Sequence, residues 1–599
     1  MYLSKSDYTH SRDCLAKLYF KKHKYPSRND ENQYLMYQAR IGHMVGFLAQ
    51  QTYAGGYEIP MEGGLEAAAQ ETLDWLNRHD EGVLYEATFL FDGRAARVDV
   101  LRKKGKQLEL IEVKSSGFDP LLEGKEAQKQ VKKLEEKLFD LAFQTGLVER
   151  ACPEYRVVPK LCLMHKNAVA LAEGLYGNFL VEDELLPSGY RRAKVSYLGD
   201  LEELLAQELL VEWPCADVLV AYKEKAWAES ARMTAALARV EDFEAFRSPK
   251  KMACAGCVYR MMGKSQEQNG FAKCWGDAGF EQPSILDIRK DAGVSKFLNP
   301  WVEEGLTRLD RVDPDWMVTD KGHRVFGMPL LQIKGVREFW NEEGAALLKE
   351  AKYPLYFMDF EAIRSAIPYH VGMAPYRSIV LFQWSCHKIS APGAPLEHFE
   401  FLNTEASYPN NRFMQSLTEV LGTEGTVFTW SSYENTQMRQ FLADVEDDAQ
   451  ADPEVLRRLE GLLKDRDGGW RQVDLHDDVV KRFYFHEAMK SQTSIKKVLP
   501  AVLKEAQPAA NIDLLAQANL LERNDQGEIT DPYLLLPGVK DGTQAMLAYD
   551  SMLYGPQSPD PSYAAAVANE LRAYCQLDTL SMVLIYQYLQ SKKPEVFPY

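Results

Sequence analysis

Twice in this chain a strongly apolar strand runs into charge. The first reads "LELIEVK": Leu108, Leu110, Ile111 and Val113 are interrupted by Glu112 and followed by Lys114. The second reads "YPLYFMDFEAI", with Asp359 and Glu361 two residues apart. Successive side chains on a strand point to opposite faces, so Glu112 shares a face with Lys114, and Asp359 with Glu361. An unpartnered buried charge is costly, so ionisable pairs on otherwise apolar strands predict sites. The two strands lie far apart in a chain of 599 residues, which at roughly 150 residues per domain has room for two to four domains.

Around the first pair, strands are expected at Val83–Phe91, Arg94–Leu101 and Leu108–Val113, separated by the turn signals Asp92-Gly93 and Gly105. A charged helix from Leu122 to Thr145 and a strand at Tyr155–Met164 follow. A hairpin would bring Asp99 beside Glu112. Two carboxylates can hold a divalent metal that polarises a phosphate and lowers the pKa of an attacking water. Lys114 can position that water or stabilise developing negative charge. The plain alternative is an exposed hairpin of alternating charge, and the apolar flanks argue against it.

Around the second pair the pattern restarts. Strands are expected at Leu355–Phe360, Ser378–His387, His398–Leu402 and Val427–Trp430. Helices are expected at Glu434–Leu442, Glu454–Lys464, Ser494–Lys504, Thr543–Leu553 and Tyr563–Leu589. Strands first and helices afterwards predict a mixed α/β domain. Tyr574 and Asp578 are four apart and so share a helical face. Between the modules, "SKFLNPWVEEGLTRLDRVDPDWM" reads as short helices broken by Pro300 and Pro314. The expected organisation is therefore an α/β domain over 1–280, a helical connector over 281–345 and a second α/β domain over 346–599.

Composition sets limits on function. Hydrophobic residues at 46% and charged residues at 26% describe an ordinary globular chain. No apolar run reaches the ~18 residues of a membrane helix. The opening carries Asp7, Arg12, Asp13 and Lys17, unlike a signal peptide, so a cytoplasmic protein without a membrane partner is expected. A net charge of −17, from 70 basic and 87 acidic residues, excludes a histone-like coat but not a nucleic-acid enzyme with a local basic track. Lys103, Lys104, Lys106, Lys125, Lys129, Lys132, Lys133 and Lys137 are one such track, or equally a solvated helix face. No Gly-x4-Gly-Lys-Ser/Thr motor motif is present. Of nine cysteines, Cys254 and Cys257 have the spacing that lets two thiolates reach one metal centre. Cys274 follows, and Cys14 stands alone near the start. A zinc site would find no histidine between His165 and His323, which leaves Cys14 as the natural fourth ligand. Cys152, Cys162, Cys215, Cys386 and Cys575 read as ordinary buried thiols.

Asp99, Glu112 and Lys114 on adjacent strands resemble the PD-(D/E)XK nuclease superfamily, in its RecB-like branch. The resemblance implies Mg2+ or Mn2+ on Asp99 and Glu112, a catalytic Lys114, and a motif Gln in the following helix, which "KLFDLAFQTGLV" supplies as Gln144. The chain departs from the branch at Val148, where a Tyr is usual, and at Gly46, where "ARIGHMVGFLAQ" lacks the motif His; His43 lies one turn away. Cys14, in "LSKSDYTHSRDCLAKLYF", with Cys254, Cys257 and Cys274 after the core, resembles the iron–sulfur members of that branch, among them CRISPR-associated exonucleases and AddB-type helicase–nucleases. This implies a [4Fe–4S] cluster on the four cysteines.

Asp359-x-Glu361 with Tyr574-x3-Asp578 resembles the DEDDy 3′–5′ exonucleases of the RNase H-like fold. That implies two metals held by acids, with Tyr574 orienting the attacking water. The remaining acid is expected at Glu434, in "VFTWSSYENTQMRQFL", where that family usually has Phe-Asp. Asp474, in "QVDLHDDVV", is a second candidate. The combination resembles a bacterial family that fuses the two nuclease types, and "SIKKVLPAVL" (494–503) and "CWG" at Cys274 look like its signatures. The implied activity is metal-dependent hydrolysis of DNA at two separate sites, exonucleolytic and favouring single strands, in DNA processing, repair or anti-phage, CRISPR-related defence. A nucleic-acid-binding scaffold with one decayed site, and an RNA-processing exonuclease, stand as alternatives.

Overall fold

The computed structural model describes residues 1–185, 191–261, 268–280, 282–289, 294–316, 327–445, 452–463, 471–505, 512–555 and 558–597. Lys464, at the end of one expected helix, and residue 281, at an expected domain boundary, lie outside them. The chain is mixed α/β and forms two compact units. Unit 1 comprises 1–249, 257–274 and 364–379; unit 2 comprises 250–256, 275–363 and 380–599. The stretch expected as a connector thus packs with unit 2. No helix among the described residues is long and apolar enough to cross a membrane.

Unit 1 is built on one seven-stranded sheet. Its elements include β1 (Leu3–Ser4), α1 (Lys5–Ser11), α2 (Ala16–Lys22), β2 (Tyr57–Glu58), β3 (Glu81–Phe91), β4 (Arg94–Lys104), β5 (Gln107–Phe118), α3 (Glu135–Ala151), β6 (Arg156–His165), β7 (Leu210–Pro214) and α4 (Ala216–Leu237). The strand order is β2-β3-β4-β5-β6-β7, with β1 added to β4. β3, β4 and β5 form an antiparallel meander, and β6 lies parallel to β5. The β3–β4 turn is Asp92-Gly93, and both residues have positive φ (45° and 72°). That is the primed geometry a two-residue hairpin requires, and it explains the Asp-Gly pair.

The expected helix over 122–145 is in fact two, meeting at Leu134. Gly124–Lys133 buries no residue, whereas α3 is buried without interruption from Leu138 to Val148. Leu138, Phe139, Phe143 and Leu147 enter the main core of the unit. Each such side chain contributes roughly 1.5–3 kcal/mol on burial, so α3 and the polar residues on it are firmly placed. The break lets the solvated half diverge from the buried one.

Unit 2 contains α5 (Ser295–Glu303), β8 (Leu355–Ile363), β9 (Val380–Ile389), β10 (Leu396–Leu402), β11 (Thr426–Thr429), α6 (Tyr433–Asp444), β12 (Gln472–Asp474), α7 (Ile495–Glu505), α8 (Pro532–Leu535), α9 (Gly542–Tyr554) and α10 (Pro561–Ser591). The sheet order is β10-β9-β8-β11-β12. β8, β9 and β10 are antiparallel, and β11 and β12 run parallel to β8. The central strand is therefore the one bearing Asp359 and Glu361, with a register shift immediately after Glu361. Pro300 does not break its helix as expected but lies inside α5. Burial of Leu298 and Val302 holds that short helix despite the missing N–H. Pro314 does start a new 3-10 turn.

Candidate active sites

In unit 1, Asp99, Glu112, Lys114 and Gln144 converge. Asp99 sits on β4, where the β4–β5 ladder gives way to side-chain contact: its Oδ2 accepts the Val113 N–H at 2.8 Å. Glu112 is fully buried. Its Oε1 accepts from Lys114 Nζ at 2.6 Å and its Oε2 from Gln144 Nε2 at 2.7 Å. Gln144 keeps its own Oε1 buried with no hydrogen-bond partner.

Two further residues join them. Lys5, at the start of α1, donates to the same Glu112 Oε1 at 2.8 Å and lies 3.7 Å from Asp99 Oδ1. Asp140, one turn before Gln144 on α3, accepts from Lys114 at 2.7 Å and from Thr9 at 3.3 Å. Burial opposes ionisation of Glu112, but Lys114 and Lys5 outweigh it and hold the carboxyl well below its usual range. Burial and the Glu112 charge push Asp99 up to about 7. Asp140 is raised by burial and by Glu112.

The positions where the chain departs from the RecB-like pattern have their own explanations. Val148 is a core residue. Gly46 faces open space, since a Cβ there would meet nothing within 4 Å. His43 is exposed and its charged neighbour is Asp183. The expected basic track fails at Lys103. That side chain is buried and donates to the carbonyls of Leu76 and His79 at 2.6 and 2.5 Å.

Of the four cysteines, Cys14, Cys257 and Cys274 are half-buried and pack against the unit 1 core. The N-terminal segment and that of Cys257 are stitched together by Arg28 on the Cys257 carbonyl (2.8 Å), by His10 on the Tyr259 hydroxyl (2.9 Å), and by Phe20 against Tyr259. Among the described residues no three thiols come within 4.8 Å of one another. Cys254 falls among the residues of unit 2.

In unit 2, Asp359, Glu361 and Asp578 each bring an oxygen within 4.8 Å of the others. Asp359 and Glu361 come from β8, and Asp578 from the middle of α10. Glu434, in the first turn of α6, is a close neighbour of Asp359, and each acid acts on the other's titration. Its Oε2 is buried without a partner. Burial and the Asp578 charge push Asp359 up to about 8. Glu361 and Glu434 are raised by burial and by Asp359, and Asp578 by burial. Buried acids crowded in this way strongly favour a cation, which would take the place of their protons.

Tyr574 is buried one turn from Asp578, and its hydroxyl accepts from Lys496 Nζ at 3.4 Å. Lys496 lies over the rings of both Tyr574 and Tyr533. The Tyr533 hydroxyl, on α8, donates to Asp578 Oδ1 at 2.5 Å. Gly542, opening α9, leaves room beside the acids: a Cβ there would stand 3.5 Å from Glu361 Oε2 and 3.9 Å from the Tyr574 hydroxyl. Asp474, the second candidate beside Glu434, ends β12. Its Oδ1 accepts the N–H groups of His476 and Asp477, both at 2.9 Å, and caps the following turn. Its charge still acts on Glu434.

Residues 356–494 match a family described as a domain of unknown function, DUF2779. The match covers β8 and the Glu434 helix but stops short of Tyr574 and Asp578. No curated protein and no solved structure matches the chain.

Proposed function

We propose that the chain is a metal-dependent phosphodiesterase acting on nucleic acid, with its principal site in unit 2. The observation that carries this reading is the gathering of Asp359, Glu361 and Asp578 within 4.8 Å, with Glu434 and Tyr574 beside them. Asp359, Glu361, Asp578 and Glu434 would hold divalent metal, which would supply Lewis-acid stabilisation of the charge that develops in phosphodiester hydrolysis. Tyr574, held by Lys496, would orient the attacking water. The β10-β9-β8-β11-β12 order, with the acids on the central strand, supports an RNase H-like fold and the DEDDy class. The β3-β4-β5 meander with parallel β6, and the meeting of Asp99, Glu112, Lys114 and Gln144, support a PD-(D/E)XK domain of the RecB-like kind for unit 1. There Asp99 and Glu112 would hold Mg2+ or Mn2+, and Lys114 would steady the charge that develops on phosphate. Cys14, Cys254, Cys257 and Cys274 stand as the proposed ligands of a [4Fe–4S] cluster.

DNA, single-stranded above all, is the substrate we favour, in DNA processing or defence. A second reading, in which unit 1 binds nucleic acid without cutting it, is favoured by the two lysines that already neutralise Glu112. Titrating Mn2+ into the purified chain with labelled single-stranded DNA, duplex DNA and RNA separates these readings. Cleavage of DNA alone supports the proposal, cleavage of RNA alone redirects it to RNA processing, and binding without cleavage leaves a scaffold.

A further inference from the structure

Unit 1 assembles three carboxyl groups, Asp99, Glu112 and Asp140, around two ammonium groups. The two lysines are not equivalent. Lys114 extends from the same strand as Glu112 and bridges it to Asp140. Lys5 arrives from α1 and stands between Asp99 and Glu112, 3.7 Å from one and 2.8 Å from the other. These are the two groups that would share a metal ion. Every oxygen of Glu112 is already engaged: Oε1 by both lysines and Oε2 by Gln144. Asp99 offers only Oδ1, the oxygen facing Lys5, because Oδ2 is tied to the Val113 N–H. A divalent ion bridging Asp99 and Glu112 would have to occupy the place of the Lys5 ammonium.

Lys5 is held there by its backbone. Ser4 and Asp7 form a reciprocal capping box that fixes the first turn of α1, and β1 pairs with β4 through Leu3 and Ser4. The Lys5 side chain is nevertheless 23% exposed on a flexible four-carbon stem, so its head can move to solvent while its backbone stays in place.

We propose that Lys5 is a built-in competitor for the unit 1 metal: it fills the cation position between Asp99 and Glu112, and the site loads only when the side chain swings away. The inference rests on the reading of unit 1 as a metal site. It makes unit 1 a weaker, later-loading site than the acid cluster of unit 2, where Lys496 lies against Tyr574 and Tyr533. The surrounding charges act together. Lys114 and Asp140 stay paired in both states, so displacement of Lys5 exposes the Asp99 and Glu112 charges to the incoming ion.

The test uses the full chain with Asp359→Asn, which silences the unit 2 cluster, and measures Mn2+ binding by electron paramagnetic resonance and calorimetry. Lys5→Met should tighten Mn2+ binding by about tenfold or more, since a unit charge is removed from beside the ion. Lys5→Arg, which keeps the charge, should leave binding weak. Adding Glu112→Gln should abolish the tightened binding and so place it at this site. Equal Mn2+ affinity in Lys5→Met and its parent, or weaker binding in Lys5→Met with Lys5→Arg unchanged, overturns the role of Lys5 while leaving the metal site standing. No Mn2+ binding in any of these variants overturns both the inference and the reading of unit 1 beneath it.

Discussion

Removing one charge from the unit 2 cluster should change how stability depends on pH, and in a direction opposite to the usual carboxylate. Asp359 is pushed from its ordinary 3.8 up to about 8 by burial and by Asp578. The folded chain therefore holds this proton more tightly than the unfolded chain does. The associated stability is fully present below pH 4 and is lost as pH rises through 8. At about 1.4 kcal/mol per tenfold change in proton affinity, the rise corresponds to an upper bound of about 6 kcal/mol. Asp359 is partly exposed, and its titration depends on that of its acidic neighbours, so about half of that, roughly 3 kcal/mol, is expected. For a unit of about 300 residues that is roughly 5 °C in Tm. The assay compares chelator-treated parent and Asp359→Asn by thermal melts between pH 5 and 8. The neutral amide mimics the protonated acid, so the two should lie closest at pH 5, and the variant should gain on the parent as pH rises. Excess Mn2+ at pH 8 should reverse the order by stabilising the parent more than the variant. A parent that gains on the variant as pH rises without metal, or Mn2+ that stabilises both equally, would refute the reasoning.

Three other outcomes are expected. Tyr574→Phe should leave Mn2+ binding intact but slow hydrolysis about tenfold to a hundredfold, as loss of a positioning hydroxyl does, seen as a drop in kcat at unchanged metal affinity. Tyr533→Phe removes the hydroxyl that donates to Asp578 Oδ1 and helps keep that acid from rising further. The pH of half-maximal Mn2+ loading should therefore move upward, and an unchanged loading curve would show that this hydrogen bond does not tune the site. Anaerobically purified chain should be brown, and Cys257→Ser should lose the colour and melt earlier, because metal binding is coupled to folding; a colourless parent with stoichiometric zinc would replace the cluster with a zinc site.

The strand-borne chemistry was legible because charge on an apolar strand is costly and shows at once. Asp99, Glu112, Lys114, Asp359 and Glu361 all declare themselves in this way, and helical spacing adds Tyr574 and Asp578. Asp140 was within reach of the same logic, since it precedes Gln144 by one helical turn on the same face. Lys5 was not, because it meets Glu112 across 107 positions and nothing local marks it. Tyr533 reaches Asp578 from a helix of four residues, too short to carry a periodic signal. Lys496 did lie in the "SIKKVLPAVL" run, but its contact with Tyr574 depends on tertiary packing. Secondary structure erred where packing overrode local preference. Pro300 remains inside α5, and the break at Leu134 separates a solvated helix from a buried one that composition alone runs together.

The most direct test of the central claim is hydrolysis of labelled single-stranded DNA by the full chain in Mn2+, with unit 1 silenced by Glu112→Gln. This variant should still cut. Adding Asp578→Asn should lower the rate by at least about a hundredfold, as the loss of several kcal/mol of metal-supplied stabilisation requires. Equal rates with and without Asp578 would rule out unit 2 as the cutting site.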